Sequence, residues 1–189
     1  NEPPSVQLLD SVFADIRPLL TIVEPSKRDS LLNPLRTIIK NHPSRDVRIQ
    51  CIQLILNLWE NPNPEQRSKI VAALKDCASD HEKAESEILP IVTQMMGNQN
   101  VSILCLISKV VGEFSHILVS QLRYTLLLSI IKQFSEHSSP IVRQAAAVDG
   151  ATLIDSFGDN SEATDKMEDL IDLGKQFVFD PDAEVSSVA

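Results

Sequence analysis

Apolar residues recur at helical spacing along almost the whole chain, and short polar stretches interrupt them. Each stretch contains Pro, Gly, Asn, Ser or Asp, the residues that cap or end helices. The stretches read EPSK, NHPSR, NPNP, MGNQN, SEHSSP, GDNSEA and DPDAE. This pattern predicts about nine helices. They are expected over residues 5–23, 27–41, 45–60, 64–79, 82–96, 101–118, 120–137, 140–157 and 162–179.

The composition favours an all-α protein. Hydrophobic residues make up 43% of the 189 residues, but aromatic residues only 4%, and there are only 5 glycines. Because an all-β domain usually contains more Tyr, Trp, Thr and Gly-rich turns, we predict an all-α fold. The three cysteines, Cys51, Cys77 and Cys105, each fall inside a predicted helix. We expect buried, reduced thiols of an intracellular protein.

Several helix starts resemble one another, which predicts an internal repeat. PEQRSKIVAAL and PIVRQAAAVDGATL both place Arg a few residues in, followed by small and apolar residues. The equivalent positions Arg67, Ser102, Arg143 and Ser186 are about 35, 41 and 43 residues apart. Helix pairs with a period near forty are typical of HEAT and armadillo solenoids. We therefore predict an α-solenoid, a single right-handed superhelical array over 1–189. We expect a fragment of a longer chain, with its last repeat truncated near 182–189.

The register of this repeat before residue 80 stays open. Arg48 and Arg67 are nineteen residues apart, so two consecutive helices carry the same marker. Prolines inside predicted apolar helices would remove a hydrogen bond and bend the axis, as in the first helix of many HEAT repeats. These prolines are Pro18, Pro34 and Pro90, and the first two are only sixteen residues apart.

Three helix starts place a capping side chain before a proline at the first helical position. They are Asn63-Pro64, Ser139-Pro140 and Asp180-Pro181. Gln66 follows Asn63 by three residues, so we expect it to complete a capping box.

The charge pattern argues against binding to nucleic acid, and the short apolar runs argue against membrane insertion. The formal net charge is −9, and no basic stripe provides the clustered cations that phosphate contacts need. No stretch approaches the roughly eighteen uninterrupted apolar residues of a transmembrane helix. The segment 120–137 has two apolar faces, but its only cations are Arg123 and Lys132. It therefore lacks the basic face of an interfacial helix.

The residue types that carry catalysis or bind metals are scattered. The sequence has no Gly-rich phosphate loop and no Walker lysine pattern. The histidines fall near predicted helix ends, and none pairs with His or Cys at metal-ligand spacing. They are His42, His81, His116 and His137. We predict a non-enzymatic protein without a cofactor. An active site assembled from separate repeats stays open as an alternative.

Two features of the predicted helices are candidate sites. Segment 162–179 carries an acidic face that is either a solvated surface or a docking site for a basic partner. Its members are Asp165, Glu168, Asp169 and Asp172. Asp149 lies inside the apolar stripe of helix 140–157, where a buried carboxylate needs a partner or a proton. We expect a structural pair with a cation, the candidates being Arg143, Lys109 and Arg123. A role in partner binding and simple exposure are the alternatives.

Five segments carry a narrower resemblance. They are KRDSLLNPL (27–35), NPEQRSKIV (63–71), AESEILPIVTQM (84–95), LVSQLRYTLLLSIIKQF (118–134) and SPIVRQAAAVDGATLIDSFGD (139–159). In this order they resemble the C-terminal HEAT-repeat array of the LisH domain and HEAT repeat-containing protein family. The resemblance covers most of residues 27–186.

The resemblance implies a non-enzymatic adaptor. Members of this family bind an active Rab GTPase of recycling endosomes and an oxysterol-binding protein. They link recycling endosomes to the trans-Golgi network and support sterol transfer. This implies a cytoplasmic protein that is peripheral on those membranes through its partners. The alternative is a HEAT scaffold of another class, such as a phosphatase-scaffold or nuclear-transport subunit.

Overall fold

The computed structural model of the chain describes residues 3–78, 81–157 and 167–189. Within these ranges all regular secondary structure is helical and no strand is present, which confirms the predicted all-α class. The chain divides into two compact units, one up to Ile91 and one from Val92 onward. The solenoid arrangement, its handedness and its continuity as one array stay predictions.

Short loops join the helices of the first unit. The first helix, α1, spans Val6–Ile22. A 3₁₀-helix over Pro25–Leu31 continues directly into α2, Leu32–Asn41. Helix α3 spans Arg45–Leu56, and α4 spans Pro64–Cys77. Helix α5 covers 81–95 in three contiguous segments, which are α-helical His81–Lys83, π-helical Ala84–Ile88 and α-helical Leu89–Met95.

The second unit continues the same pattern. Helix α6 spans Val101–Phe114. Helix α7 covers 120–135 as α-helical Ser120–Leu122, π-helical Arg123–Leu127 and α-helical Leu128–Ser135. Helix α8 spans Pro140–Asp155, α9 spans Met167–Val178, and the short α10 spans Ala183–Ser186.

The predicted helix 45–60 ends early, at Leu56, because the residues that follow make tertiary hydrogen bonds. The indole Nε1 of Trp59 donates to the Pro25 carbonyl at 3.0 Å. The Leu58 carbonyl accepts from Nη1 of Arg28 at 2.8 Å. These bonds attach the end of α3 to the 3₁₀-helix, which helical periodicity along α3 does not indicate.

The π-helical part of α5 has a cause in the sequence, Pro90. Proline has no N–H to donate to the carbonyl four residues earlier, and its ring crowds that carbonyl. The helix widens just before it, and the Leu89 N–H bonds to the Ala84 carbonyl. The Ser86 carbonyl, four residues before Pro90, accepts from Nη2 of Arg45 at 2.6 Å instead.

Two of the predicted helix starts have different outcomes in the structure. The capping box of α4 is confirmed, because Asn63 Oδ1 accepts from the Gln66 N–H and Gln66 Oε1 accepts from the Asn63 N–H. The predicted helix start at Asp180-Pro181 is wrong, since α10 begins at Ala183 with Asp182 as its N-cap. The Asp180 carboxylate accepts from the Asp182 N–H at 2.9 Å and from the Arg143 guanidinium.

Side-chain hydrogen bonds between helices join residues about forty positions apart in both units, close to the predicted period. In the first unit, Arg36 contacts Asp76, 40 residues on. In the second unit, Ser108 contacts Asp149, 41 residues on, and Lys132 contacts Asp169, 37 residues on. In each unit, side chains of one helix therefore contact a helix about forty residues further along the chain.

Leu, Ile and Val side chains dominate the buried interior, together with all three cysteines. Burial raises the pKa of Cys51 to about 12 and that of Cys77 to about 11. Among the described residues, no helix is both long enough and apolar enough to cross a membrane.

Candidate functional site

Arg48 in the first unit ties the loop before α3 to an acid in α5. Its Nη1 donates to the His42 carbonyl at 2.8 Å and to the Pro43 carbonyl at 2.9 Å. Its Nε donates to both carboxylate oxygens of Glu87 at 3.1 Å. Both side chains are largely buried, and the hydrogen bonds that Arg48 donates to Glu87 raise the pKa of the guanidinium above its usual value.

Arg143 in the second unit makes the same set of contacts. Its Nη1 donates to the His137 and Ser138 carbonyls at 2.9 and 3.2 Å. Its Nε and Nη2 donate to the two oxygens of Asp180 at 2.7 and 3.0 Å, a bidentate geometry. The pair is largely buried, and the hydrogen bond from Arg143 holds the pKa of Asp180 below its usual range.

Three arginines share one local contact, which explains why they do not define the register of the predicted repeat. Arg67 also donates to the carbonyl five residues before it, that of Pro62, at 3.1 Å. Arg48 and Arg143 do the same with Pro43 and Ser138. Such an arginine therefore connects a helix to the loop before it, and it does not distinguish the first helix of a predicted pair from the second. In these contacts the arginine is a structural residue.

A cleft of about 500 Å³ opens beside the Arg143–Asp180 pair. It lies between the end of α7 and the end of α9, and the side chain of Phe179 on its edge is 79% exposed. The lining residues are Ser135, Glu136, His137, Ser138, Arg143, Gln176, Phe179, Asp180 and Pro181. The cleft combines an exposed aromatic ring with the hydrogen-bonded Arg143–Asp180 pair, and a protein partner could use it for an anchor side chain.

Helix α9 exposes an apolar row that the sequence analysis missed. Leu170, Leu173 and Phe177 form its buried face. Met167, Ile171 and Val178 lie on another face at helical spacing and are about half exposed. A segment with two apolar faces at i, i+3 and i+4 spacing is the signal that could have indicated this row.

The predicted acidic face lies next to that apolar row. Glu168 is exposed on α9. Asp172 accepts from Lys175 at 3.0 Å, and Asp169 accepts from Lys132 of α7 at 2.7 Å. Asp165 lies outside the described residues. Two of the predicted acids thus make ion pairs within the second unit, and the docking role of the face stays a proposal.

The whole chain, residues 1–189, matches a family model described as the RAB11-binding protein RELCH N-terminal domain. The chain belongs to this family. The family is the one that the sequence resemblance indicated, but the matched model describes its N-terminal domain, whereas the resemblance pointed to the C-terminal array. A comparison with curated proteins found no match.

Asp149 lies at the crossing of α6 and α8 and is 8% exposed. Ser108 Oγ donates to its Oδ2 at 2.8 Å. One turn further along α6, Gly112 leaves room for the Asp149 backbone, which a Cβ at that position would meet at 3.1–3.2 Å. Of the cations predicted as its partner, Arg143 pairs with Asp180 instead. The Ser108–Asp149 hydrogen bond therefore joins α6 to α8.

Proposed function

We propose that this chain is a non-enzymatic adaptor module that binds a small GTPase of the RAB11 type. The observation that supports the proposal is the match, over the full 189 residues, to the model for the N-terminal domain of RELCH, which is described as a RAB11-binding protein. An α-helical scaffold suits this role, because helix packing fixes a surface on which a few anchor residues supply the affinity.

The second part of the proposal concerns the cellular process, membrane traffic. The module serves between recycling endosomes and the trans-Golgi network, where it is peripheral on the membrane through its partners. The second partner in this proposal is an oxysterol-binding protein, and the process that the module supports is sterol distribution. This part rests on the resemblance of the five sequence segments alone.

The test is retention of a RAB11-type GTPase on the immobilised chain. The GTPase is loaded with a non-hydrolysable GTP analogue or with GDP, and a Rab of another class serves as the matched control. We expect retention of the GTP form alone. Equal retention of both nucleotide forms, or none, contradicts the proposal. Co-precipitation with an oxysterol-binding protein tests the second partner separately.

A scaffold of the phosphatase or nuclear-transport class is the alternative function. The exposed Glu168 and the acidic end of the second unit favour it, because a basic import signal would find opposite charge there. Retention of a Ran-type GTPase or a basic import peptide, with no retention of the RAB11-type GTPase, would select this alternative.

A further inference from the structure

The outer surface of α9 carries two parallel rows of side chains. At about 100° per residue, Met167 and Ile171 lie along one line of the helix. Glu168 and Asp172 lie along a second line, about 100° further round the helix. Phe179 follows the end of α9, close to the second line and at the edge of the 500 Å³ cleft. Val178 continues the first line, and these six residues define what we call the α9 surface.

The described part of the second unit covers only about half of the apolar row of this surface. Met167, Ile171 and Val178 are 47%, 49% and 51% exposed. At Gly174, between Ile171 and Val178, an added Cβ would meet no atom within 4 Å. A straight apolar track therefore runs along the helix, of the kind that an amphipathic partner helix covers.

The charge beside the track is negative. Residues 167–189 contain one cation, Lys175, against six carboxylates. These are Glu168, Asp169, Asp172, Asp180, Asp182 and Glu184. Asp169 and Asp180 are paired with cations of other helices. Beside the apolar row, Glu168 is exposed, and Asp172 forms an exposed ion pair with Lys175 at 3.0 Å. Charge complementarity selects a partner with Lys or Arg next to its apolar side chains.

We propose that the α9 surface binds a basic amphipathic helix of a partner protein. The apolar side of that helix covers Met167 and Ile171, its Lys or Arg residues face Glu168 and Asp172, and an apolar side chain at its end enters the cleft beside Phe179. This goes beyond the proposed function, because it does not depend on which protein supplies the helix.

The test measures fluorescence anisotropy of a labelled helical peptide that carries a leucine row and an adjacent lysine row. A second peptide keeps the leucines and replaces every lysine with glutamate. We expect the lysine peptide to bind and the glutamate peptide to bind at least about tenfold more weakly. Equal binding of the two peptides, or no binding of the lysine peptide, overturns the proposal.

Matched variants locate the site. Ile171→Ala/Val178→Ala should weaken binding about fivefold or more, and so should Phe179→Ala. The control is Ile141→Ala/Val148→Ala on α8, whose side chains are 57% and 50% exposed in the same unit. It should bind as the wild type does. Truncation of an exposed side chain changes stability little, so all variants should keep the wild-type circular dichroism spectrum.

Two outcomes of this experiment would identify another occupant or another site. If the α9 variants and the α8 control lose binding equally, the α9 surface is not the site. If the chain forms a dimer in sedimentation, and Ile171→Ala/Val178→Ala makes it monomeric, a second copy covers the track. Either result overturns the proposal without bearing on the retention of the RAB11-type GTPase.

Discussion

Gly112 on α6 lies against the backbone of Asp149 on α8, so the variant Gly112→Ala should destabilise the second unit. A Cβ at residue 112 would lie 3.0 Å from Asp149 Cβ, 3.1 Å from its carbonyl oxygen and 3.2 Å from its Cα. Two of these three atoms are backbone, which a side-chain rotation cannot move. The two helices would have to separate by a few tenths of an ångström, along with the side chains packed around them.

Two opposing terms set the size of the effect. Overpacking in a tight interior costs about 1–3 kcal/mol. Replacing glycine with alanine inside a helix gains about 0.5–1 kcal/mol, since alanine loses less backbone entropy on folding. The steric term is the larger, so we expect a net loss of about 1–2 kcal/mol in the free energy of unfolding. The added methyl group would also strain the Ser108–Asp149 hydrogen bond, one turn away.

Gly174→Ala in α9 is the matched control, because its added Cβ would meet no atom within 4 Å. Only the entropy term then applies, and this variant should be about 0.5–1 kcal/mol more stable than the wild type. The two substitutions are chemically identical and lie in helices of the same unit, so the predicted difference is one of sign.

Urea denaturation followed by far-ultraviolet circular dichroism measures both variants. The only tyrosine, Tyr124, lies in the second unit and the only tryptophan, Trp59, in the first, so their fluorescence separates the two transitions. The Tyr124 transition should move to lower urea for Gly112→Ala and to higher urea for Gly174→Ala. If Gly112→Ala is as stable as the wild type or more stable, the close contact of α6 and α8 is refuted.

Three further predictions concern buried polar groups. Ser108→Ala should lower the free energy of unfolding by about 1.5–3 kcal/mol, because a buried carboxylate loses a donor. In an Asp149→Ala background the same change should cost clearly less, and a double-mutant cycle measures the difference. Asp180→Asn should destabilise the chain at neutral pH. Because Arg143 depresses the folded pKa of Asp180, this stabilisation is present above the unfolded pKa of about 3.9. It is lost as pH falls through the lower folded value, so wild-type and variant stabilities should converge in acid. Burial raises the pKa of the Cys51 thiol to about 12, so an aromatic disulfide reagent should modify this thiol only after unfolding. Rapid modification of Cys51 in the native chain would contradict its burial.

Interactions between neighbours in the chain could be read from the sequence. The Asn63–Gln66 capping box needs only residues within one turn, and the structure contains both of its hydrogen bonds. Pro90 likewise acts on its own helix, where it removes a donor and the preceding turn widens. Helical periodicity, composition and the capping residues therefore determined the all-α class and the approximate helix positions.

Interactions across about forty residues were decided only by the tertiary structure. Asp180 precedes a proline as a capping residue would, yet its carboxylate bonds to Arg143 and the helix begins at Ala183. The carboxylate also accepts from the Asp182 N–H at 2.9 Å, so it fixes the turn before α10 and does not start a helix at Pro181. Periodicity placed Asp149 in an apolar stripe, but only the fold brings Ser108 and Gly112 to it.

The sequence by itself thus determined which segments become helices, because that choice depends on residues three or four positions apart. The tertiary structure decided which face of each helix is covered. Met167 and Ile171 have the same apolar character as Leu170 and Leu173, and only packing leaves the first two exposed and buries the others. Apolar character sets the free energy gained on burial, but contact with another helix is needed to realise it.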